Sequence, residues 1–238
     1  MDTERPAGSA PQPLELPDSV MDLDRDDRPV AETEAQTSEG YSAVTRLIHE
    51  AGHLKNLPRS GWLLAGIPSA ETVAEHVSRT TFIGLVLAAL SDQELDIGRV
   101  TMMCAVHDLI ETRIGDFSSV NKAYSSAPDW RAVAGDQLEG VPMQLAGTLE
   151  GLIEEYEERR TLESCIARDA DKLECLAQAL EYMSQGQSPA QEWIISSVES
   201  LSTDIGHQIA SVMLETDSTN WWRSFVSRYR TPPPPPVD

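Results

Sequence analysis

The adjacent residues His107 and Asp108 are the part of the sequence most clearly suited to chemistry. They follow the apolar residues 100–106 and precede Glu111. The apolar pattern predicts one helix over residues 97–113, on which spacings of three and four residues bring all three side chains to neighbouring parts of one surface. Burying three ionisable groups is costly unless they are paired or bind a metal. A metal site is therefore the first hypothesis.

Further candidate ligands lie on two other predicted helices. His76 falls on an apolar helix predicted over residues 71–90, and Asp169 and Asp171 fall on one predicted over residues 161–184. Imidazoles and carboxylates together make a mixed nitrogen and oxygen shell, which suits Mn²⁺, Co²⁺, Fe²⁺ or Zn²⁺. Periodicity alone leaves both aspartates open as ligands. A core histidine or a solvated acid is the ordinary interpretation of each feature alone, so only their combination favours a site.

The elements that must position these residues are all predicted to be helices. Pro and Gly residues predict loops over residues 58–68 and 115–128. No alternating strand pattern and no Gly-rich phosphate loop occurs in the sequence. We therefore predict an all-α, bundle-like domain over residues 40–231. Its predicted helices span residues 41–56, 71–90, 97–113, 130–158, 161–184, 189–215 and 218–229.

The two ends of the chain differ in composition from the part between them. Residues 1–39 hold 11 Asp and Glu against three Arg and have no aromatic residue. Such a segment buries too little apolar area to offset its chain entropy, which predicts a disordered acidic arm. Residues 232–238 begin with five prolines, which predicts a solvated Pro-rich tail.

Charge and cysteine content narrow the function classes. The 238 residues carry a formal net charge of −21, which opposes binding to nucleic acid or to an anionic membrane surface. No signal-peptide core is evident, and the longest apolar stretch, residues 82–90, is too short to span a bilayer. The three cysteines show no Cys-x-x-Cys spacing and are predicted to be free thiols. These features predict a soluble, cytoplasmic protein and allow a small anionic substrate.

Five ordered segments together resemble the HD-domain metal-dependent phosphohydrolases, and more closely their 5'-deoxynucleotidase branch. The resemblance covers about residues 45–185 and leaves the predicted helices over residues 189–231 as an extension. The segments are LKNLPRSGW at 54–62, ETVAEH at 71–76 with Arg79, HDLIETRIGD at 107–116, EEYE at 154–157, and RDADKLE at 168–174 with Gln178, Glu181 and Tyr182.

The resemblance implies an HD-domain helical bundle and a definite metal shell. The implied ligands are His76, His107, Asp108 and Asp171. Asp171 is selected over Asp169 because the ligand of the family directly precedes a Lys-Leu-Glu-like segment. A divalent ion held in this way would activate a water molecule and offset charge on a phosphoryl group. The resemblance also implies a homodimer.

The resemblance implies further roles around the metal. Glu111 and Asp116 match the acidic catalytic positions of the family, where a carboxyl group can orient or deprotonate the attacking water or protonate the leaving 5' oxygen. Arg59 matches the phosphate-binding arginine. Trp62 matches an aromatic residue linked to the nucleoside pocket, although core packing explains it equally well. Lys122 is a candidate for a second phosphate contact. The residues FSSVN after Asp116 depart from the family, which usually has a proline there, so base and sugar preference stay open.

We therefore expect the protein to hydrolyse a 5'-nucleoside monophosphate, in particular a deoxynucleotide, to nucleoside and phosphate. One alternative is removal of the whole triphosphate from a dNTP, which the acidic charge disfavours because three phosphates need more cations. Another is a catalytically weak scaffold that binds nucleotides or partners. The presence of all the implied ligands together with Glu111 and Asp116 disfavours that alternative.

Overall fold

Helices make up the regular structure of the chain. The computed structural model describes residues 38–126 and 128–229, and within these ranges the only β-type pairing is an isolated bridge between Pro58 and Thr72. The prediction of an all-α bundle is confirmed. The predicted acidic arm lies outside the described residues, except that residues 38 and 39 belong to the first helix. The predicted Pro-rich tail lies wholly outside them.

The helices are α1 Ser38–Ala51, α2 Ser60–Leu64, α3 Val73–Leu90, α4 Ile97–Val106, α5 Glu111–Ile114, α6 Ser119–Tyr124, α7 Trp130–Gln137, α8 Met143–Glu158, α9 Leu162–Ser184, α10 Gln191–Glu199, α11 Asp204–Glu215 and α12 Asn220–Tyr229. The short 3₁₀ helix Gly52–Asn56 follows α1, and a second one, Ser188–Ala190, precedes α10.

Three helices, α3, α4 and α9, form the centre of the bundle. Each packs against the other two, and α8, α10 and α11 cover α9 from outside. Leu87, Met103 and Leu173, one from each central helix, are completely buried in the shared core. The helices α3 and α4 approach closely at Gly84, where an added Cβ would lie 2.5 Å from Sγ of Cys104. This close packing brings the residues of three separate sequence segments to one place.

Local capping fixes where the central helices begin. Thr72 accepts a hydrogen bond from the Glu75 N–H at 3.2 Å, and the Glu75 carboxylate accepts one from the Thr72 N–H at 2.7 Å. This reciprocal capping box satisfies two N–H groups that the helix itself leaves free. Because α3 therefore begins at Val73, His76 lies in its first turn. Thr161 and Ser164 form the same arrangement at the start of α9.

The helix predicted over residues 97–113 is interrupted at the candidate site. The helix α4 ends at Val106, residues 107–110 form a turn, and α5 follows. In the turn, the N–H of Leu109 bonds to the carbonyl of Val106 and that of Glu111 to the carbonyl of Asp108, both three residues back. Such bonds tighten the chain relative to an α-helix. The prediction that His107, Asp108 and Glu111 share one continuous helix is therefore wrong.

Two other long predicted helices are also divided. The helix predicted over residues 130–158 separates into α7 and α8, because Gly140 adopts a φ of 76° and Pro142 precedes the second helix. The helix predicted over residues 189–215 separates into α10 and α11, and Thr203 caps the second of these. Conversely, the loops predicted over 58–68 and 115–128 contain the short helices α2 and α6.

By length and composition alone, α3 could cross a membrane, because it has 18 residues and a mean hydropathy of 1.3. The sequence estimate, based on residues 82–90 only, therefore understated its apolar length. The helix packs against α4 and α9, and one third of it, including His76, is buried in the described part of the chain. That the protein does not contact a membrane stays a prediction.

Candidate metal centre and active-site cleft

His76 is the central residue of the candidate metal centre. It lies in the first turn of α3 and is fully buried. Its Nε2 atom lies 3.2 Å from Oδ1 of Asp171 on α9 and 3.7 Å from Oδ2 of Asp108 in the turn after α4. Two helices and one turn thus bring an imidazole and two carboxylates together.

His107 adds a second imidazole to the candidate metal centre. Its Nδ1 donates a hydrogen bond of 2.8 Å to the carbonyl of Cys104, so Nε2 is the nitrogen that faces the candidate site. This Nε2 is buried, lies 3.2 Å from Oδ2 of Asp108 and has no hydrogen-bond partner among the described residues. One ligand atom from each of His76, His107 and Asp108 lies within 4.8 Å of the others. A buried ring nitrogen without a hydrogen-bond partner, beside carboxylates, fits a cation site, and mixed nitrogen and oxygen donors fit a divalent transition metal.

The two aspartates of α9 have different surroundings. Asp169 is completely buried, and its carboxylate accepts hydrogen bonds from the N–H and hydroxyl groups of both Ser202 and Thr203. Asp171 instead lies against His76 through Oδ1 and accepts a hydrogen bond of 2.8 Å from Lys172 through Oδ2. Asp171 is therefore the aspartate of α9 that can join the metal shell, and Asp169 joins α9 to the start of α11.

A buried carboxylate fixes the orientation of the His76 ring. Oε2 of Glu174 lies 2.5 Å from Nδ1 of His76, on the side of the ring opposite Asp171. Arg79 donates to the other oxygen of Glu174 at 2.9 Å and to Gln178 and Glu181 at 2.7 Å each. A carboxylate that accepts the Nδ1–H of a histidine directs Nε2 toward a metal and makes it a better ligand.

Glu111 and Asp116 lie on either side of the sharp turn at Gly115, whose φ of 76° glycine adopts readily. Asp116 accepts hydrogen bonds from the N–H and hydroxyl of Ser60 at 2.6 and 3.0 Å. Oε2 of Glu111 is buried and lacks a hydrogen-bond partner in the described part of the chain. Burial, followed by the charges of Asp108 and Asp116, raises the pKa of Glu111 to about 10. Glu111 is therefore a protonated carboxyl group in the metal-free protein.

Arg59 lies between the metal-facing carboxylates and an open cleft. Its Nη1 is 3.5 Å from Oδ2 of Asp108 and 3.9 Å from Oδ1 of Asp116. The cleft has a volume of about 720 Å³, within the usual size of a small-molecule site, and Arg59, Glu111, Asp171 and the exposed Lys122 all line it. The cleft thus combines the candidate metal centre with cations that could bind an anionic substrate.

Trp62 lies almost entirely within the core. Only 2 % of it is exposed, and its ring packs against Tyr182 and Trp193 at centroid distances of 5.2 and 5.1 Å. Its Nε1 donates a hydrogen bond of 2.8 Å to Glu71. Trp62 also borders the cleft, so its main contacts are those of a core residue with one edge toward the site.

The paired histidines and aspartates lie within a segment that matches a known family. Residues 51–213, more than half of the chain, match the family model described as "HD domain". The chain belongs to the HD-domain family. The match runs past residue 185, where the resemblance seen in the sequence ended, so it includes α10 and most of α11.

Several known proteins are similar to this chain. A protein of Dictyostelium discoideum named 5'-deoxynucleotidase HDDC2 is 32% identical over 148 residues, which are 56% of this chain and 74% of that protein. The protein of the same name from Bos taurus is 30% identical over 156 residues, which are 65% of this chain and 73% of its own. A solved structure, described as a conserved hypothetical protein from Pyrococcus furiosus, has a TM-score of 0.59 and 31% identity. The match covers 72% of this chain and 97% of the chain from Pyrococcus furiosus.

Both metal-facing carboxylates of this HD domain are ionised. Burial alone would raise the pKa of Asp108, but the neighbouring His107 and Arg59 outweigh burial and hold the pKa well below its usual range. Burial is likewise outweighed at Asp171, where Lys172 and hydrogen bonding with an imidazole hold the pKa well below the ordinary value. Metal ligation requires deprotonated carboxylates, so these two groups are in the form that binds a cation.

His76 of the HD domain is charged when no metal is bound. Burial and the charge of Arg59 act to lower its pKa, but hydrogen bonds with Asp171 and Glu174 outweigh them and raise the pKa to about 10. A metal at Nε2 must therefore displace a proton, so metal binding to the HD domain should weaken as the pH falls.

Reasoning from sequence assigned no role to several residues that support the HD-domain site. Glu174 bonds to His76, and Arg79 in turn donates to Glu174. The sequence does contain a signal for Glu174, because this residue lies one helical turn after Asp171 on α9. Tyr156 borders the cleft and stacks near His107 with ring centroids 5.0 Å apart. Its position could not be read from spacing, because α8 meets the site only through tertiary packing.

Proposed function

We propose that the protein is a metal-dependent phosphohydrolase that converts deoxynucleoside 5'-monophosphates to nucleoside and phosphate. The observation that carries this proposal is the buried, unpartnered Nε2 of His107 beside Asp108 at the base of an open cleft. The relatives named 5'-deoxynucleotidase support the substrate class.

The residues that would hold the metal are His76, His107, Asp108 and Asp171. When bound, a divalent ion polarises a water molecule and offsets the charge on the phosphoryl group. The mixed nitrogen and oxygen donors support Mn²⁺, Co²⁺, Fe²⁺ or Zn²⁺ as the ion.

Two side chains of the cleft have complementary tasks. Arg59 presents a guanidinium group whose forked donors match phosphate oxygens. Glu111 lines the cleft, where its carboxyl group would orient or deprotonate the attacking water or protonate the 5' oxygen as the nucleoside leaves. Asp116 would complete the proton path or contact the sugar, and its hydrogen bonds from Ser60 also hold the chain directly after Arg59.

We also propose that the protein is a cytoplasmic homodimer that binds neither nucleic acid nor membranes. The net charge of −21 supports the last two points, because phosphate backbones and anionic lipids would be repelled. Sedimentation of the full chain would test the dimer, which predicts twice the mass of the 26.1 kDa monomer.

A substrate panel tests the proposed reaction. The metal-loaded full-length protein is incubated with deoxynucleoside monophosphates, ribonucleoside monophosphates and dNTPs, and the release of phosphate, pyrophosphate and triphosphate is measured. We expect inorganic phosphate from the deoxynucleoside monophosphates. Triphosphate release from dNTPs would instead favour the triphosphohydrolase alternative. No turnover of any substrate, by protein shown to contain metal, would favour a binding scaffold and contradict the proposal.

A matched variant shows whether the measured activity comes from this protein or from a contaminating phosphatase. Glu111→Gln keeps the shape of the side chain but removes its acidic proton, and Glu111 is not among the proposed ligands. Activity that belongs to this chain should fall sharply in Glu111→Gln protein purified in the same way and loaded with the same amount of metal.

A further inference from the structure

Tyr156 has a buried hydroxyl group whose bonding is incomplete. The residue lies on α8, and only 2 % of it is exposed. Its hydroxyl oxygen has no hydrogen-bond partner in residues 38–126 and 128–229. Buried tyrosine hydroxyls usually find a partner, because an unmade hydrogen bond costs free energy. A phenylalanine would fill the same core space without that cost, so packing alone does not explain the hydroxyl.

The ring of Tyr156 is held by contacts with two charged or ionisable groups. It lies near the imidazole of His107, with centroids 5.0 Å apart and an interplanar angle of 48°. The guanidinium group of Arg168 lies over the ring, 4.1 Å from its centroid. Arg168 is itself fixed, because it donates to the carbonyl of Tyr156 at 3.2 Å and to Glu157 at 3.1 Å. The direction of the hydroxyl is thus determined before any ligand binds.

The ring that carries the hydroxyl lies beside the candidate metal centre. Tyr156 borders the same cleft as His107, Asp108, Arg59 and Asp171. A neutral phenol is a hydrogen-bond donor that adds no charge. It can therefore contact an anionic oxygen without competing with the carboxylates for a cation.

We propose that the hydroxyl of Tyr156 donates a hydrogen bond to a phosphoryl oxygen bound in the cleft beside His107. This inference rests on the proposed phosphohydrolase function, which requires a phosphoryl group at that place. It assigns Tyr156 as a further catalytic residue and Arg168 as the residue that positions it.

The test uses Tyr156→Phe in the full-length, metal-loaded protein. Binding of inorganic phosphate is measured by calorimetry, and kcat/KM is measured with a deoxynucleoside monophosphate. Loss of a hydrogen bond to an anion should weaken phosphate binding and lower kcat/KM by about 10- to 100-fold. Metal content should stay at the wild-type value, and the Tm should be equal or higher, because the variant removes a hydroxyl group that lacks a partner.

Tyr41→Phe is the matched control, since Tyr41 lies on α1 with 56% of its surface exposed and does not border the cleft. It removes the same atom and should leave phosphate binding unchanged. Phosphate binding and kcat/KM of Tyr156→Phe within about twofold of wild type would overturn the proposal. Loss of metal from Tyr156→Phe would also overturn it, because the hydroxyl would then serve the metal shell.

The experiment separates this inference from the proposed function. If the wild type turns over no deoxynucleotide but Tyr156→Phe still weakens phosphate binding, the proposed function fails and the contact of the hydroxyl with phosphate is supported. If the wild type is active and Tyr156→Phe changes neither quantity, only the role of Tyr156 is refuted.

Discussion

Replacing Asp169 by alanine should destabilise the protein without removing the metal. Oδ1 of Asp169 accepts hydrogen bonds from the N–H and hydroxyl of Ser202 at 2.9 and 3.0 Å, and Oδ2 accepts those of Thr203 at 2.8 and 2.6 Å. The carboxylate is completely buried and joins α9 to the N-terminal end of α11. Its removal therefore leaves donors from one chain segment without their acceptor.

The expected loss follows from counting those donors. Each backbone N–H left without a partner costs about 1–3 kcal/mol, whereas the two hydroxyls can rotate toward other acceptors or water. Ser202 is exposed, so water can reach its N–H, while Thr203 is only half-exposed. We therefore expect Asp169→Ala to lower the free energy of unfolding by about 1–3 kcal/mol.

The assay compares Asp169→Ala with Asp171→Ala. Urea unfolding of the metal-free proteins, followed by circular dichroism, gives the stability, and elemental analysis of the folded proteins gives the metal content. Asp169→Ala should lose stability and keep its metal, whereas Asp171→Ala should lose its metal. The reasoning is refuted if Asp169→Ala unfolds like the wild type, or if the folded variant lacks metal while Asp171→Ala retains it.

Three further predictions concern single carboxyl groups. Glu111→Gln should retain metal but lower kcat by about 10²- to 10⁴-fold, as measured by phosphate release, and near-normal turnover would remove Glu111 from the reaction. Glu174→Gln should weaken metal binding by about 10- to 100-fold in a competition titration with a chelating dye, because the buried acceptor of His76 loses its negative charge, and unchanged affinity would contradict that role. The pKa of Glu50 is lowered from 4.5 to about 2, chiefly by its hydrogen bond from Arg113. The stabilisation that the Glu50 carboxylate gives is therefore present above pH 4.5 and is lost as the pH falls toward 2. With allowance for solvent screening, Glu50→Gln should cost about 1–2 kcal/mol in urea unfolding at pH 7, and the difference from wild type should shrink through that acid range.

The sequence predicted the presence and type of the long helices, because their apolar periodicity reflects which face is buried. It did not predict where they break. The turn over residues 107–110 forms where the chain brings His107 and Asp108 to the other candidate ligands, and the break before α11 occurs where Ser202 and Thr203 bond to Asp169. Both breaks depend on contacts between distant segments, which local periodicity does not contain.

The candidate site could be predicted in part for the same reason. Residue type and order pointed to the imidazoles and carboxylates, but periodicity could not choose between Asp169 and Asp171. The choice depends on which of them faces His76 and which faces a loop 33 residues further along the chain. The sequence does not predict a role for Tyr156, because its missing hydrogen bond is a property of the folded protein.

The proposed hydrolysis of a deoxynucleoside monophosphate requires a metal held by the paired histidines and aspartates. The most direct measurement is phosphate release by chelator-treated protein, before and after a divalent transition metal is restored, for wild type and for Asp108→Ala. We predict no release before addition, recovery in the wild type, and neither metal binding nor recovery in Asp108→Ala. Full activity in protein shown to be free of metal, or Asp108→Ala that binds metal fully and is fully active, would contradict the account.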